Sequence, residues 1–151
     1  MEEKNINQFI QYSNNYKKLK GNGILMLINL LSHLEASPFN NFLFVKEKEI
    51  EKDACICFSF LGQQFIVQIE TYFENKAIVN GKLCTYLQSN DEISKAENEL
   101  LYEVKFDTVG NIGDGYLLDD FAINYLVNSL ISFVNVSNEE EEKNKLIIKP
   151  E

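Results

Sequence analysis

A glycine-rich stretch with aspartates around it offers the first candidate for chemistry, GNIGDG at residues 110–115. It lies between an alternating apolar pattern and a helical one, where nucleotide-binding folds place a phosphate loop. No Lys or Arg occurs between Lys105 and Lys143. Four carboxylates instead surround the loop, those of Asp107, Asp114, Asp119 and Asp120. Because carboxylates repel a phosphate, the stretch predicts a turn and a helix start without a phosphate site.

Metal ligands are the next possibility, since carboxylates provide the hard oxygens that Ca²⁺ and Mg²⁺ prefer. With Asp107 as the first position of an EF-hand loop, Val109 and Ile112 stand where an oxygen ligand and a glycine are needed. Cys55 and Cys57 form one short-spaced thiol pair, whereas structural zinc sites commonly use two. We therefore predict no metal and no cofactor; a cation site of another geometry at the acidic loop is the alternative.

Nucleophilic and acid–base catalysis have no clear candidates. His33 is the one histidine, and it lies in an apolar helical pattern without a G-x-S-x-G or comparable nucleophile motif. Asp and Glu are so numerous that no pair can be singled out as a general acid and base. Cys84 and the other two cysteines are expected to be reduced, partly buried thiols. The sequence thus predicts no catalytic residue and no enzyme.

Composition predicts one domain with an acidic end. The chain has 151 residues, of which 45% are hydrophobic, enough for a single core. We expect one domain over residues 1–136 and a solvated, disordered tail over residues 137–151, which contain a run of four glutamates. Apolar runs fall short of the roughly 18 residues of a membrane span, and the first residues do not resemble a signal peptide. A cytoplasmic location without a membrane partner is expected.

The charge balance indicates the kind of partner. With 23 acidic and 14 basic residues, the chain carries a net charge of −9. Such a chain repels phosphate backbones, so we expect no direct nucleic-acid partner. The same charge would accelerate encounter with a basic protein.

The patterns predict an α+β fold. Helical apolar spacing over residues 5–19, a break at residues 21–23 and an apolar stretch from Ile24 predict two N-terminal helices facing the core. Alternating patterns from Phe42 to residue 106 predict an antiparallel β-meander of about five strands. Helical spacing from Leu118 to Phe133 predicts a C-terminal helix packed on the sheet, with Asp119 and Asp120 in its first turn.

Two turns define the predicted meander. Gly62-Gln63 suits a type II′ turn that pairs Phe60 with Phe65 and Phe58 with Val67, which places the large apolar side chains on one face. Asn80-Gly81 is the strongest short hairpin signal. On the less apolar face of their strands, two tyrosines are possible interface anchors, Tyr72 and Tyr86.

The layout resembles the small acidic immunity proteins of bacterial polymorphic toxin systems, including contact-dependent growth inhibition. The resemblance depends on NGKLCTYL at residues 80–87, on VKFDTVGNIGDG at residues 104–115 and on the order helix, meander, helix. It covers residues 42–133 and implies that the protein binds a cognate toxin, often a basic nuclease, and occludes its active site.

The predicted function is therefore an acidic inhibitor that binds a basic toxin domain without chemistry. The alternative is a small-molecule or peptide-binding module with a pocket between sheet and helix. The predicted contact residues lie in the acidic loop, at the last helix start and on a charged strand: Asp107, Asp114, Asp119, Asp120, Glu47, Glu49 and Glu51.

Overall fold

The computed structural model describes residues 2–50, 54–88, 98–113, 115 and 120–148. It contains helix α1 (Glu2–Leu34), a 3-10 turn (Phe39–Asn41), five strands and helix α2 (Phe121–Ile148). The strands are β1 (Phe44–Glu49), β2 (Cys55–Phe60), β3 (Gln63–Asn75), β4 (Ile78–Leu87) and β5 (Glu99–Phe106). They form one antiparallel sheet in sequence order, which confirms the predicted α+β meander with a C-terminal helix on it.

A single N-terminal helix replaces the predicted pair, because α1 continues through residues 21–23. Each helical glycine costs about 1 kcal/mol relative to alanine, and tertiary contacts offset this cost. Asn22 Nδ2 donates hydrogen bonds to the carbonyl oxygens of Asp107 at 3.1 Å and Thr108 at 3.2 Å. A Cβ atom on Gly23 would lie 2.4 Å from the Ile69 side chain. The glycine therefore permits close packing of α1 on the sheet and does not end the helix.

The β2–β3 hairpin turns one residue earlier than predicted. Leu61 and Gly62 form its centre, with φ values of 52° and 78°, as a type I′ turn requires. Phe58 consequently pairs with Phe65 and not with Val67. The pairing has slipped by two residues, and a two-residue slip leaves each side chain on the same face. The predicted pairs are wrong, but the predicted buried face is confirmed.

The predicted Asn80-Gly81 turn is also wrong, because both residues lie inside β4. The turn follows Asn75 instead. The Asn75 side-chain oxygen accepts hydrogen bonds from the backbone N–H groups of Ala77 at 2.8 Å and Ile78 at 3.1 Å. A Cβ atom at Gly81 would lie 2.4 Å from the Phe106 ring. Glycine is required there because the aromatic ring packs directly on the strand backbone.

Both helices pack on one face of the sheet and form a single core with it. Its central residues are Leu19, Met26, Leu27 and Leu30 of α1, Ile56, Phe58, Phe65, Val67 and Leu83 of the sheet, and Phe121, Tyr125, Leu126 and Phe133 of α2. Hydrogen bonds also join α2 to β4. Thr85 donates to the Tyr125 hydroxyl at 2.7 Å and accepts from the Ser129 hydroxyl at 3.1 Å. These bonds satisfy the buried hydroxyl groups of Thr85, Tyr125 and Ser129.

Helix α2 differs from its prediction at both ends. It begins at Phe121, so Asp120 lies in the turn before it and not in its first turn; Asp119 lies outside the described residues. Its backbone continues to Ile148 and thus includes residues 137–148 of the predicted tail. Among the described residues, no helix combines the length and apolarity of a membrane span.

Candidate functional site

The face of the sheet opposite the helices is the most organised polar surface of the described chain. Its side chains alternate with the core residues along each strand, and α1 and α2 both lie on the other side. We call this surface the open face. It is defined by Gln68, Glu70, Tyr72, Lys82, Cys84, Tyr86, Glu103 and Lys105.

Glu70 is the centre of a hydrogen-bonded group on the open face. Its carboxylate accepts from Gln68 Nε2 at 3.0 Å and from the Tyr86 hydroxyl. Burial opposes ionisation of Glu70, but these hydrogen bonds outweigh it and lower the pKa of the carboxyl. Burial and the hydrogen bond to Glu70 raise the pKa of Tyr86. At neutral pH, Tyr86 is therefore a protonated donor held in a fixed orientation.

Two lysines flank Tyr72 on the same surface. The Nζ atoms of Lys82 and Lys105 lie 5.8 Å and 5.4 Å from the centroid of its ring, within the range of a cation–π contact. Lys82 also lies 3.6 Å from a Glu103 carboxylate oxygen. Burial would lower the pKa of Lys82, but attraction by Glu103 and other nearby groups, together with the hydrogen bond to Glu103, outweighs this and raises it. The lysines are thus engaged with the ring and the carboxylate.

Cys84 cannot be an activated nucleophile in this surrounding. The residue has 0% of its surface exposed, and its thiol is 3.9 Å from a Glu103 oxygen. Burial, with the nearby charge of Glu70, raises the pKa of Cys84 to about 12. Because only the thiolate attacks electrophiles or binds metals, the thiol is inert at neutral pH. In the described ranges, no group of three His, Cys, Asp or Glu side chains could hold a metal ion.

Asp107 organises its own loop. One carboxylate oxygen accepts the backbone N–H groups of Val109, Gly110 and Asn111 at 3.0, 3.0 and 2.9 Å. The other accepts from the Asn111 side chain at 2.9 Å. Partial burial would raise the pKa of Asp107, but the Asn111 side chain and these N–H groups lower it. The loop folds back so that Ile112 forms an isolated antiparallel β-bridge with Phe106, the last residue of β5.

The predicted contact residues that the structure describes do not form one patch. Glu47 and Glu49 lie in β1 and pair with Cys57 and Cys55, so their positions belong to the same side of the sheet as the open face. Asp107 follows β5, at the opposite edge. Four strand spacings of about 4.8 Å separate these edges, roughly 19 Å.

The remaining predicted contact residues are described only in part. Asp120 is exposed in the turn before α2. Asp114, Asp119 and Glu51 lie outside the described residues. The acidic loop and the charged strand are thus separate candidate surfaces.

Sequence patterns place Tyr72 and Tyr86 correctly on the less apolar face, but the open-face contacts of Glu70, Lys82 and Glu103 are missed. The missing information is strand pairing. Alternation assigns a residue to a face, whereas only the register shows which side chains become neighbours across strands. A correct β3–β4 turn would have supplied that register.

A second surface is the exposed stripe on the first half of α1. The helical spacing predicted these side chains in the core, but Leu19 is the first residue of α1 that is buried. We call the exposed residues the α1 stripe: Ile6 (55% exposed), Phe9 (65%), Ile10 (53%) and Tyr16 (47%). Gln8 and Tyr12, on another side of the helix, hydrogen bond to the Lys76 carbonyl oxygen. This half of α1 therefore lies against the β3–β4 turn and leaves its apolar stripe uncovered by the described residues.

The concavities are small for a ligand pocket. Four of them have volumes of about 60, 170, 260 and 270 Å³. The 260 Å³ groove is lined by Tyr12, Tyr16 and Phe73, and the 270 Å³ groove by Phe42 and Ile131 with their neighbours. Drug-sized ligands generally occupy about 300–1,000 Å³. Broad surfaces are thus better candidates than pockets for the site of function.

The chain was compared with protein families, with curated proteins and with solved structures, and none of the three comparisons gives a match.

Proposed function

We propose that this protein is a non-catalytic inhibitor of the immunity type, which binds a basic toxin domain and occludes its active site. The observation that carries the proposal is the open face, where Tyr72 and Tyr86 are held by charged neighbours on an exposed side of the sheet. A network of this kind fixes side chains before a partner arrives. Fixed aromatic anchors lose little conformational entropy on binding.

The charges on this side of the sheet favour a basic partner. Glu70 and Glu103 are matched by Lys82 and Lys105, but register adds two further acidic positions beside β2, Glu47 and Glu49. The whole chain has a net charge of −9. Such a field accelerates association with a cationic protein and determines its orientation.

A direct test uses the toxin domain encoded immediately upstream, if the genome contains such a reading frame. Co-expression should restore growth of cells that make the toxin, and binding should weaken steeply as salt is raised. Tyr86→Ala and Glu103→Lys should each reduce affinity by about tenfold or more, because they remove an anchor and reverse a charge.

Matched variants away from the open face provide the controls. Phe9→Ala removes an exposed aromatic side chain from α1, and Glu139→Lys reverses an exposed charge on α2. Both should bind as the wild type does. Wild-type affinity in both open-face variants would show that the interface lies on another surface. Loss of binding in a combined charge reversal of Asp114, Asp119 and Asp120 would then assign it to the acidic loop.

A further inference from the structure

The α1 stripe is an apolar surface without a described partner. Its four side chains expose roughly 400 Å², if a fully exposed large side chain contributes about 200 Å². Monomeric proteins seldom expose contiguous apolar patches above a few hundred Å² unless the patch has a function. The stripe is also on a rigid support, since Tyr12 packs edge-on against Phe73 with ring centroids 5.2 Å apart. Docking on it would cost little ordering of the backbone.

The charges that flank the stripe are arranged symmetrically about its centre. Glu3 and Lys17 are both exposed and lie seven residues to either side of Ile10. A separation of fourteen residues is two heptads, so both charges lie on the same side of the helix. If a second helix crosses antiparallel at Ile10, Glu3 of each copy lies beside Lys17 of the other. A parallel crossing would instead place Glu3 beside Glu3.

We propose that the α1 stripe binds the same stripe of a second copy of this chain, antiparallel about a two-fold axis at Ile10. Such an isologous contact buries both stripes and forms two equivalent Glu3–Lys17 pairs. The apolar area is about half of the ~800 Å² per partner of a standard interface. We therefore expect a weak dimer, with a Kd in the micromolar range, that salt weakens further.

Sedimentation velocity of the full chain over a range of concentrations tests the proposal without any toxin. The wild type should shift from monomer to dimer as concentration rises. Ile10→Glu should remain a monomer at every concentration, because the axis would bring two buried carboxylates together. Ile123→Glu is the matched control, since Ile123 is 51% exposed on α2 and lies outside the stripe. It should dimerise as the wild type does, and unchanged melting temperatures should show that both variants fold.

A charge swap tests the antiparallel arrangement itself. Glu3→Lys and Lys17→Glu should each weaken the dimer several-fold, and the double variant should recover it. A wild type that stays monomeric to millimolar concentration overturns the proposal. So does a dimer that Ile10→Glu leaves intact, and a double variant without recovery overturns the antiparallel geometry. Each result is independent of toxin binding, which is measured on the open face.

Discussion

At the residue scale, two carboxylates of this protein fix the positions of neighbouring groups through hydrogen bonds. The Asp107 carboxylate accepts four hydrogen bonds from its own loop, and Glu70 accepts from Gln68 and Tyr86. Both carboxyls have a lowered pKa because these donors favour the charged form. A carboxylate that is engaged in this way contributes to stability as well as to surface charge.

Asp107→Asn should destabilise the protein at pH 7 by about 1 kcal/mol, because the charged acceptor is lost and the Asn111 amide faces another amide. The native pKa lies below the ordinary value of 3.8, so the contribution is complete above that value and is lost as pH falls through the native pKa. Urea unfolding of both proteins between pH 7 and pH 2.5 measures the difference. A difference that stays constant over this range would exclude ionisation of Asp107 as its cause.

Cys84 should resist alkylation in the folded protein. Its thiol is buried and its pKa is raised to about 12, so almost no thiolate exists at pH 8. Iodoacetamide labelling followed by mass spectrometry should modify Cys84 much more slowly than the half-buried Cys55 and Cys57. In denaturant all three should react alike. Equal labelling of Cys84 and Cys55 in the native protein would contradict the assignment of Cys84 as inert.

At the element scale, close packing outweighs local helix and turn preferences. Residues 21–23 are poor helix formers, yet α1 continues through them because Asn22 is anchored to the loop after β5 and Gly23 adjoins Ile69. Gly81 lies inside a strand because the Phe106 ring packs over it. At Gly23 and Gly81, glycine therefore indicates close contact and not a turn.

The two helical glycines give a paired prediction. Gly21 has open space where a Cβ would be, so Gly21→Ala should raise the free energy of unfolding by up to about 1 kcal/mol. At Gly23 the new Cβ would displace the Ile69 side chain, so Gly23→Ala should be less stable than Gly21→Ala by about 1–3 kcal/mol. Urea denaturation provides both values. Equal stability of the two variants would show that α1 does not approach the sheet as closely as described.

At the scale of the whole molecule, one core holds two helices on one side of a sheet and leaves two surfaces for partners. The open face presents fixed tyrosines and charges. The α1 stripe lies on the part of the helix that precedes the core, which begins at Leu19. The two surfaces differ in chemistry, and they adjoin at the groove that Tyr16 and Tyr72 line.

Removal of residues 1–7 should separate stability from association. These residues contain Glu3 and Ile6 but no buried side chain among those described, and Gln8 and Tyr12 retain their contacts with Lys76. We expect the free energy of unfolding to fall by less than about 1 kcal/mol, as is usual for exposed positions. Sedimentation should show a loss of the concentration-dependent dimer. Extensive unfolding of the shortened chain would mean that the first helical turns belong to the core.

The order helix, meander, helix could be read from the sequence because the spacing of apolar residues is a local property, but the single N-terminal helix was predicted as two. Alternation identified the meander and the buried face of β2 and β3, and helical spacing identified α2. The exact strand pairs could not be read, because a two-residue slip at Leu61-Gly62 preserves every face assignment. The helical spacing of the α1 stripe likewise showed an apolar side of a helix but not whether the core reaches it.

The sequence by itself determined the fold class, the net charge of −9 and the lack of a recognisable nucleophile motif, since each follows from residue types and their spacing. Tertiary structure decided that α1 is one helix, that Gly81 lies under Phe106 and that Tyr86 donates to Glu70. It also decided that Ile10 is exposed. These features depend on contacts between residues far apart in the chain, and the energy of such contacts exceeds the local preferences that a sequence pattern expresses.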